Sequence, residues 1–500
     1  MDYFQTDGLT TDLKGLAIRS GGITLAARVA CFLIQTIATL ILARILSPEE
    51  FGLLVMVTAL GGFLLLIMDF GLTDAIIQKK EIHHGQISSL FWMNLFFTLG
   101  LLLLICLFAP FVARFYSEPR LVSVTILWST FLLFGALSTQ HLALLKRKLL
   151  FLRISIIEIA AALFSSLLAI LLARNGWSYW SLVWRQVFLG LFLALGAWMF
   201  CHWRPGKFTS WKETKTLMIF GRNTVGTLLL GYFAGNLDKI LVGWKYGASE
   251  LGYYHKAFFL FLIPASYITE SLKNVAVTTL SKVKEEPDRF KGYYLKSITL
   301  LAFVGMPMGF FFLLESRNLV FLLLGPRWEK TVDLFSVVSV MTGVWMIYTT
   351  KYWLHASLGR TDRMFLWGVV DFGVLSLATL AGLPFGPKGV AVAHVGAVFV
   401  LTVFGLRYAG KPIGLTFKAI LSSIWRFFLA ALASGILVFY FLSMMDQDWN
   451  RFIRLVLSSL IYTGVYFVFL VFLFNSFQPF TETYKIFKIF FSPGASIDEK

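Results

Sequence analysis

The chain has 500 residues, of which 58% are hydrophobic, 17% aromatic and only 14% charged, with a formal net charge of +17 and a mean hydropathy of +0.76. Soluble domains carry about a quarter charged residues, so this composition excludes a protein that is soluble on its own. It also excludes reading the basic excess as a nucleic-acid footprint, because no basic aromatic binding module accompanies it; cations held on the cytoplasmic side of a membrane account for it.

The opening stretch, MDYFQTDGLTTDLKG, is polar and has no apolar core, so a cleaved signal peptide is not expected. Fourteen apolar stretches of bilayer-crossing length are predicted as helices. Their limits are 18–45, 51–78, 87–113, 121–145, 154–173, 178–201, 217–244, 251–278, 294–324, 331–355, 363–383, 389–408, 417–442 and 452–474. The runs are continuous rather than alternating, which excludes a β-barrel. The connections are short, and the longest, HWRPGKFTSWKETK (202–215), sets tryptophan beside lysine as an interfacial segment does. Cys31, Cys106 and Cys201 lie in apolar runs without pairing or metal-ligand spacing and are expected to face core or lipid.

Lysine and arginine are roughly twice as frequent in the even-numbered junctions and the termini as in the odd-numbered junctions, which places both termini in the cytoplasm. An internal repeat is also visible. Glu50-Phe51-Gly52 in ILSPEEFGLLV returns as Glu250-Leu251-Gly252 in KYGASELGYYH, about 200 residues later. In the same register Gly21 falls opposite Gly221, and further on Gly176 falls opposite Gly386 and Arg153 opposite Arg363. A duplicated block of six spans keeps one orientation, so the halves are expected to be related by an axis along the membrane normal. The predicted fold is therefore an all-α polytopic membrane protein. Residues 1–205 form one six-helix lobe and 206–412 the other, 413–476 add two helices, and 477–500 form a cytoplasmic tail.

Several stretches resemble the Wzx-like polysaccharide flippases of the multidrug/oligosaccharidyl-lipid/polysaccharide (MOP) superfamily, nearest the teichuronic acid and colanic acid exporter branch. They are LARILSPEEFGLLVMVTALGGFLLLIMDFGLTDAIIQKKE (42–81), LDKILVGWKYGASELGYYHKAFFL (237–260), LSKVKEEPDRFKGYY (280–294), FLLLGPRWEKTVDLF (321–335) and HASLGRTDR (355–363). One departure is VAVTTLSKVK, which lacks the proline many relatives place before the LS pair. The resemblance implies two six-helix lobes around a central cavity, alternating access and an undecaprenyl-pyrophosphate-linked oligosaccharide as substrate. The setting is then the bacterial plasma membrane, with membrane lipid around a monomer and polysaccharide polymerase machinery as a further partner. It implies a transporter rather than an enzyme. The competing readings are a MATE-like drug exporter and a multispan glycosyltransferase or polymerase; the short outer loops argue against the latter. No Walker motif or metal-binding spacing occurs, and no cofactor, metal or nucleic acid is expected.

Such a substrate calls for cations deep in the spans, because an unpaired charge in hydrocarbon is costly. Arg28 lies near the middle of span 1, Arg222 near the cytoplasmic end of span 7, Lys239 deeper in span 7 and Lys256 at the head of span 8. These four are the candidate cavity residues, arginine being suited to phosphate by its planar two-donor fork. Their structural alternatives are an acid on a neighbouring helix, or, for Lys256, an interfacial anchor. Arg19 and Arg44 are expected to snorkel, and so are Lys351 and His355, which share a helix face. Asp69, Asp238, Glu270 and Asp371 are candidates for ion coupling or structural pairing, with Asp238 and Asp371 foremost; Asp74 and Glu158 also fall in or near spans. Pro264 and Pro307 are expected to interrupt their helices, and Gly231 and Gly235 to admit a close helix neighbour.

Overall fold

A computed structural model describes residues 4, 13–64, 76, 82–209, 229–444 and 450–474. Among these every regular element is helical and no strand occurs. In a bilayer the backbone has no water to bond, and a helix satisfies its own amides and carbonyls. The chain forms two compact units, residues 1–252 and 253–500.

The first unit contains α1 (Leu13–Ile45), α2 (Pro48–Gly61), α3 (His84–Tyr116), α4 (Leu121–Arg147), α5 (Phe151–Arg174) and α6 (Trp180–Phe200). α2 starts at a capping box: Ser47 Oγ accepts from the Glu50 amide at 3.4 Å while Glu50 Oε2 accepts from the Ser47 amide at 2.5 Å. α7 (Leu237–Lys282) begins in the first unit, breaks at Gly247 with φ of 82°, and continues into the second.

The second unit continues with α8 (Pro287–Leu314), α9 (Ser316–Leu323), α10 (Glu329–Ser339), α11 (Thr342–Ser357), α12 (Thr361–Gly382) and α13 (Gly386–Gly410), followed by α14 (Phe417–Ser443) and α15 (Arg451–Val468). Its core is built where α8, α11 and α14 meet, around Tyr294, Ile298, Met346, Trp353 and Phe427. Tyr294 and Thr350 join hydroxyls there at 2.8 Å, and α15 is fixed by Tyr466 donating to the Phe303 carbonyl at 2.9 Å.

Several expectations change. The predicted span 294–324 starts earlier, at Pro287, and ends at Leu314, after which α9 is a separate short helix. The predicted span 331–355 is two helices, α10 and α11, bent by 55°. Neither Pro264 nor Pro307 ends its helix; α7 and α8 run through them. A proline deletes one donor, and the remaining ladder carries the helix past it. By length and composition nine helices, or ten with the bent pair, qualify as spans among the described residues.

The repeat is visible in local geometry. Gly176 and Gly386 both adopt left-handed backbone, with φ of 80° and 82°, a conformation that costs a side chain and not a glycine. Arg153 donates to the Phe200 carbonyl at 3.1 Å, and its counterpart Arg363 donates to the Tyr408 carbonyl. In each half an arginine at the start of the fifth helix holds the end of the sixth.

Candidate functional site

The polar run NLDKILVG lies where a membrane helix breaks. Residues 229–234 are helical, Gly235 and Asn236 form a turn, and α7 starts at Leu237. A break frees carbonyls that hydrocarbon cannot satisfy. Asn236 Nδ2 donates to the Tyr232 carbonyl at 2.8 Å, and Lys239 Nζ donates to the Gly235 carbonyl at 2.6 Å and to Asn236 Oδ1 at 3.0 Å. Two polar side chains thus replace the interrupted backbone ladder. Asp238 is buried at 3% exposure. The close approach expected at Gly231 and Gly235 is absent among the described residues: a Cβ at Gly231 would meet none of them within 4 Å, and one at Gly235 only its own turn. Small residues spaced by four permit close packing but do not require it.

Close approach occurs instead at the two Glu-X-Gly motifs. A Cβ on Gly52 would lie 2.5 Å from the carbonyl carbon of Ala248, and a Cβ on Gly252 would lie 2.7 Å from that of Pro48. Positions 48 and 52 correspond to 248 and 252 in the repeat. Each glycine therefore faces the counterpart of the residue that faces the other, the reciprocity of a two-fold axis. Beside this contact, Glu49 and Glu118 both grip Arg120, at 2.5 and 2.7 Å. Arg120 also lies 5.9 Å from the Tyr179 ring centre, and Ser178 donates to Glu50. Three junctions, 46–50, 117–120 and 175–179, are tied together. The hydrogen bonds from Arg120 hold the Glu118 carboxyl below its ordinary pKa.

The second unit holds a buried charge pair. Lys351 Nζ lies 2.6 Å from Asp371 Oδ2, with the lysine side chain 0% and the aspartate 5% exposed. Tyr348 donates to Oδ1 at 2.6 Å and Tyr352 to Oδ2 at 2.7 Å. The ammonium also sits 3.1 Å from the Tyr348 ring centre and 4.8 Å from that of Tyr352. The carboxylate thus has three donors for its roughly four acceptor sites. Lys351 does not snorkel: its stem stays inside the helix packing because an acid on α12 meets it there. His355 is buried as well, at 1% exposure, and packs against the Tyr408 ring. The first repeat has His141, also fully buried, about 210 residues before Lys351.

The other candidates scatter. Arg28 is exposed and forms no ion pair or hydrogen bond with the described residues; its charge acts on Glu158 of α5, a helix packed against α1. Lys256 is not an exposed anchor, being 1% exposed with Nζ 4.6 Å from the Phe259 ring centre and 6.0 Å from that of Trp328. Two rings close over a lysine that otherwise would reach water. Glu270 is exposed and pairs with Lys273 at 3.1 Å. Arg222, Asp69 and Asp74 lie outside the described residues. Arg185 was not among the candidates. It donates to Thr39 Oγ1 at 2.9 Å and to the Gln35 carbonyl at 3.0 Å, bracing α6 on α1. A lone arginine in SLVWRQVFLG was the available signal.

A duplicated set of membrane-length helices, with reciprocal glycine contacts and broken helices carrying polar side chains, defines a multi-pass membrane protein of transporter type. Solved structures agree on the fold. The lipid II flippase MurJ in an inward closed conformation superposes with a TM-score of 0.73 at 15% identity, over 92% of this chain and 99% of that one. An inward-facing multidrug resistance MATE transporter of the MOP superfamily gives 0.59 at 11% identity, over 76% and 94%. The chain belongs to the polysaccharide biosynthesis protein family, which matches residues 41–333. That region contains the stretches 42–81 and 237–260 on which the resemblance rests. Among relatives, the teichuronic acid biosynthesis protein TuaB of Bacillus subtilis (strain 168) is 26% identical over 75% of this chain and 79% of its own. The lipopolysaccharide biosynthesis protein WzxC of Escherichia coli (strain K12) is 22% identical over 77% and 79%. The succinoglycan biosynthesis transport protein ExoT of Rhizobium meliloti (strain 1021) is 23% identical over 74% of each.

Proposed function

We propose that this protein is a flippase that carries a lipid-linked oligosaccharide across the membrane for surface polysaccharide synthesis. The observation that carries the reading is Arg28: an exposed guanidinium, without a hydrogen bond to any described residue, in the middle of a membrane helix of a polysaccharide biosynthesis protein. A guanidinium without a hydrogen-bond acceptor among the described residues is costly there, and an anionic substrate head offers acceptors. Arginine suits a phosphate or pyrophosphate because its planar fork makes two parallel hydrogen bonds. The lipid tail stays in hydrocarbon throughout, so only the head needs a polar route.

The finer reading is an undecaprenyl-pyrophosphate carrier in the bacterial inner membrane, moved by a monomer with both termini in the cytoplasm. The family, the relatives' roles in glycan synthesis and the basic even-numbered junctions support it. The protein works by alternating access and not as a catalyst, and a polymerase consumes the exported unit. Lys239 and Asp371 are assigned structural work, the first at the helix break and the second in the Lys351 pair.

The test is a deletion strain lacking a redundant flippase, with mass analysis of the lipid-linked glycan it accumulates. Accumulation of complete repeat units together with loss of polymer supports the proposal. Normal export and polymerisation in that strain sinks it.

A further inference from the structure

On the outside of the first unit, α2, α3 and α4 enclose a groove of about 330 Å³. Its walls are apolar, with Leu60 from α2, and Leu101, Phe108 and Val112 from α3. Phe108 is 59% exposed, so the groove opens towards lipid. The lining residues with polar side-chain atoms are Thr125 and Trp128, both on α4. These residues are 6% and 2% exposed, and neither Thr125 Oγ1 nor Trp128 Nε1 has a hydrogen-bonding partner among the described residues.

Gln140 of the same helix is also buried without a partner among the described residues, but among the hydroxyls of α4 Thr125 stands apart. Every other hydroxyl on α4 is bonded back to its own backbone: Ser123, Ser129, Thr130, Ser138 and Thr139. Thr125 is the exception, and it stands three residues from Trp128, on the same face. A buried donor left unmade is penalised, and a groove open to hydrocarbon offers no water to relieve it.

The geometry points to a binding site for one acyl chain of an ester-linked glycerophospholipid, with its ester carbonyl accepting from Thr125 and Trp128. Depth selects this occupant. At about 1.5 Å per residue, Thr125 and Trp128 lie roughly 6 and 10 Å below the start of α4, beneath the polar clasp around Arg120. That is the level of the boundary between headgroups and hydrocarbon, where glycerol esters sit. From Val112 to Leu101 the groove extends about 17 Å further along α3, roughly half of the ~30 Å core and so one leaflet. A polyprenyl phosphate has no oxygen at that depth, because its first acceptor is the phosphate at headgroup level.

The purified, delipidated full chain is offered palmitoyl-oleoyl phosphatidylglycerol or its dialkyl ether analogue, and retained lipid is counted by native mass spectrometry. The wild type is expected to hold the ester lipid roughly five- to tenfold more tightly than the ether, the effect of two hydrogen bonds of membrane-interior strength. Thr125→Val with Trp128→Phe keeps the groove and removes the donors, so the preference falls to about onefold. Leu104→Trp, at a position 51% exposed on the groove wall, blocks it without touching the packed core and lowers retention of both lipids. Equal retention of ester and ether by the wild type overturns the proposal. So does displacement of the ester lipid by undecaprenyl phosphate at equal concentration, or undiminished retention by Leu104→Trp.

Discussion

Replacing Asp371 by alanine removes the acidic partner of a lysine that is 0% exposed and takes acceptors from two tyrosine hydroxyls. An uncompensated buried charge left by breaking such a pair costs about 3–5 kcal/mol, and each stranded hydroxyl adds about 1–3 kcal/mol. A protein with about 5–15 kcal/mol of total stability cannot absorb that unnoticed. Asp371→Ala is therefore expected to lower membrane abundance and the thermal denaturation midpoint sharply. Replacing both partners, Lys351→Met with Asp371→Leu, removes the charge along with its counter-charge and is expected to restore abundance, as apolar replacements of buried pairs do. The assay is thermal denaturation of purified protein, paired with glycan export in the deletion strain. If the pair is structural, the double variant recovers both. A double variant that is stable but exports nothing would refute the structural assignment and make the carboxylate part of the transport cycle. Wild-type stability in Asp371→Ala would refute the energetic argument itself.

Other outcomes follow from the same geometry. Gly52→Val and Gly252→Val each push a side chain into a backbone carbonyl and are expected to cost about 1–3 kcal/mol at the contact, with reduced export. Gly231→Ala, which meets nothing within 4 Å, should export normally, and a defect there would revive the helix-packing reading of that glycine pair. Lys239→Met strips the Gly235 carbonyl of its donor and should lower thermal stability by about 1–3 kcal/mol; unchanged stability would make the lysine available to substrate. The Arg120 clasp has a defined pH signature. Glu118 has a depressed pKa in the folded state, so its contribution is present above the ordinary glutamate pKa and is lost as pH falls through the folded value. The stability difference between wild type and Arg120→Gln should shrink as pH is lowered below that range, and a difference that grows on acidification would contradict the clasp.

The helical class and the duplication were legible because both are written in patterns that survive without tertiary information: apolar run length and recurring motifs. Glu-X-Gly at 50–52 and 250–252 marked the reciprocal contact, although the reason for the glycines, a carbonyl against each Cα, emerges only when the helices meet. For charged residues the sequence shows the position along a span but not the surroundings. Lys351 and Lys256 looked like residues within reach of water, yet each is enclosed by groups far away in sequence: Asp371 in one case, Trp328 in the other. Lys239 looked like a cavity residue because a continuous helix was assumed around it. The turn at Gly235–Asn236 gives it local carbonyls to cap. Arg28, which makes no hydrogen bond with any described residue, enters only through the proposed function.

The most direct measurement of the central claim uses a strain whose only copy carries Arg28→Ala at normal membrane abundance. Lipid-linked repeat units on the cytoplasmic face are quantified by mass analysis after enzymatic protection from the outside. Loss of a charge-assisted hydrogen bond worth about 1.5–3 kcal/mol predicts a tenfold or greater drop in export, inward accumulation of complete units, and partial recovery with Arg28→Lys, which keeps charge but not the fork. Full export by Arg28→Ala, with no accumulation, would contradict the account.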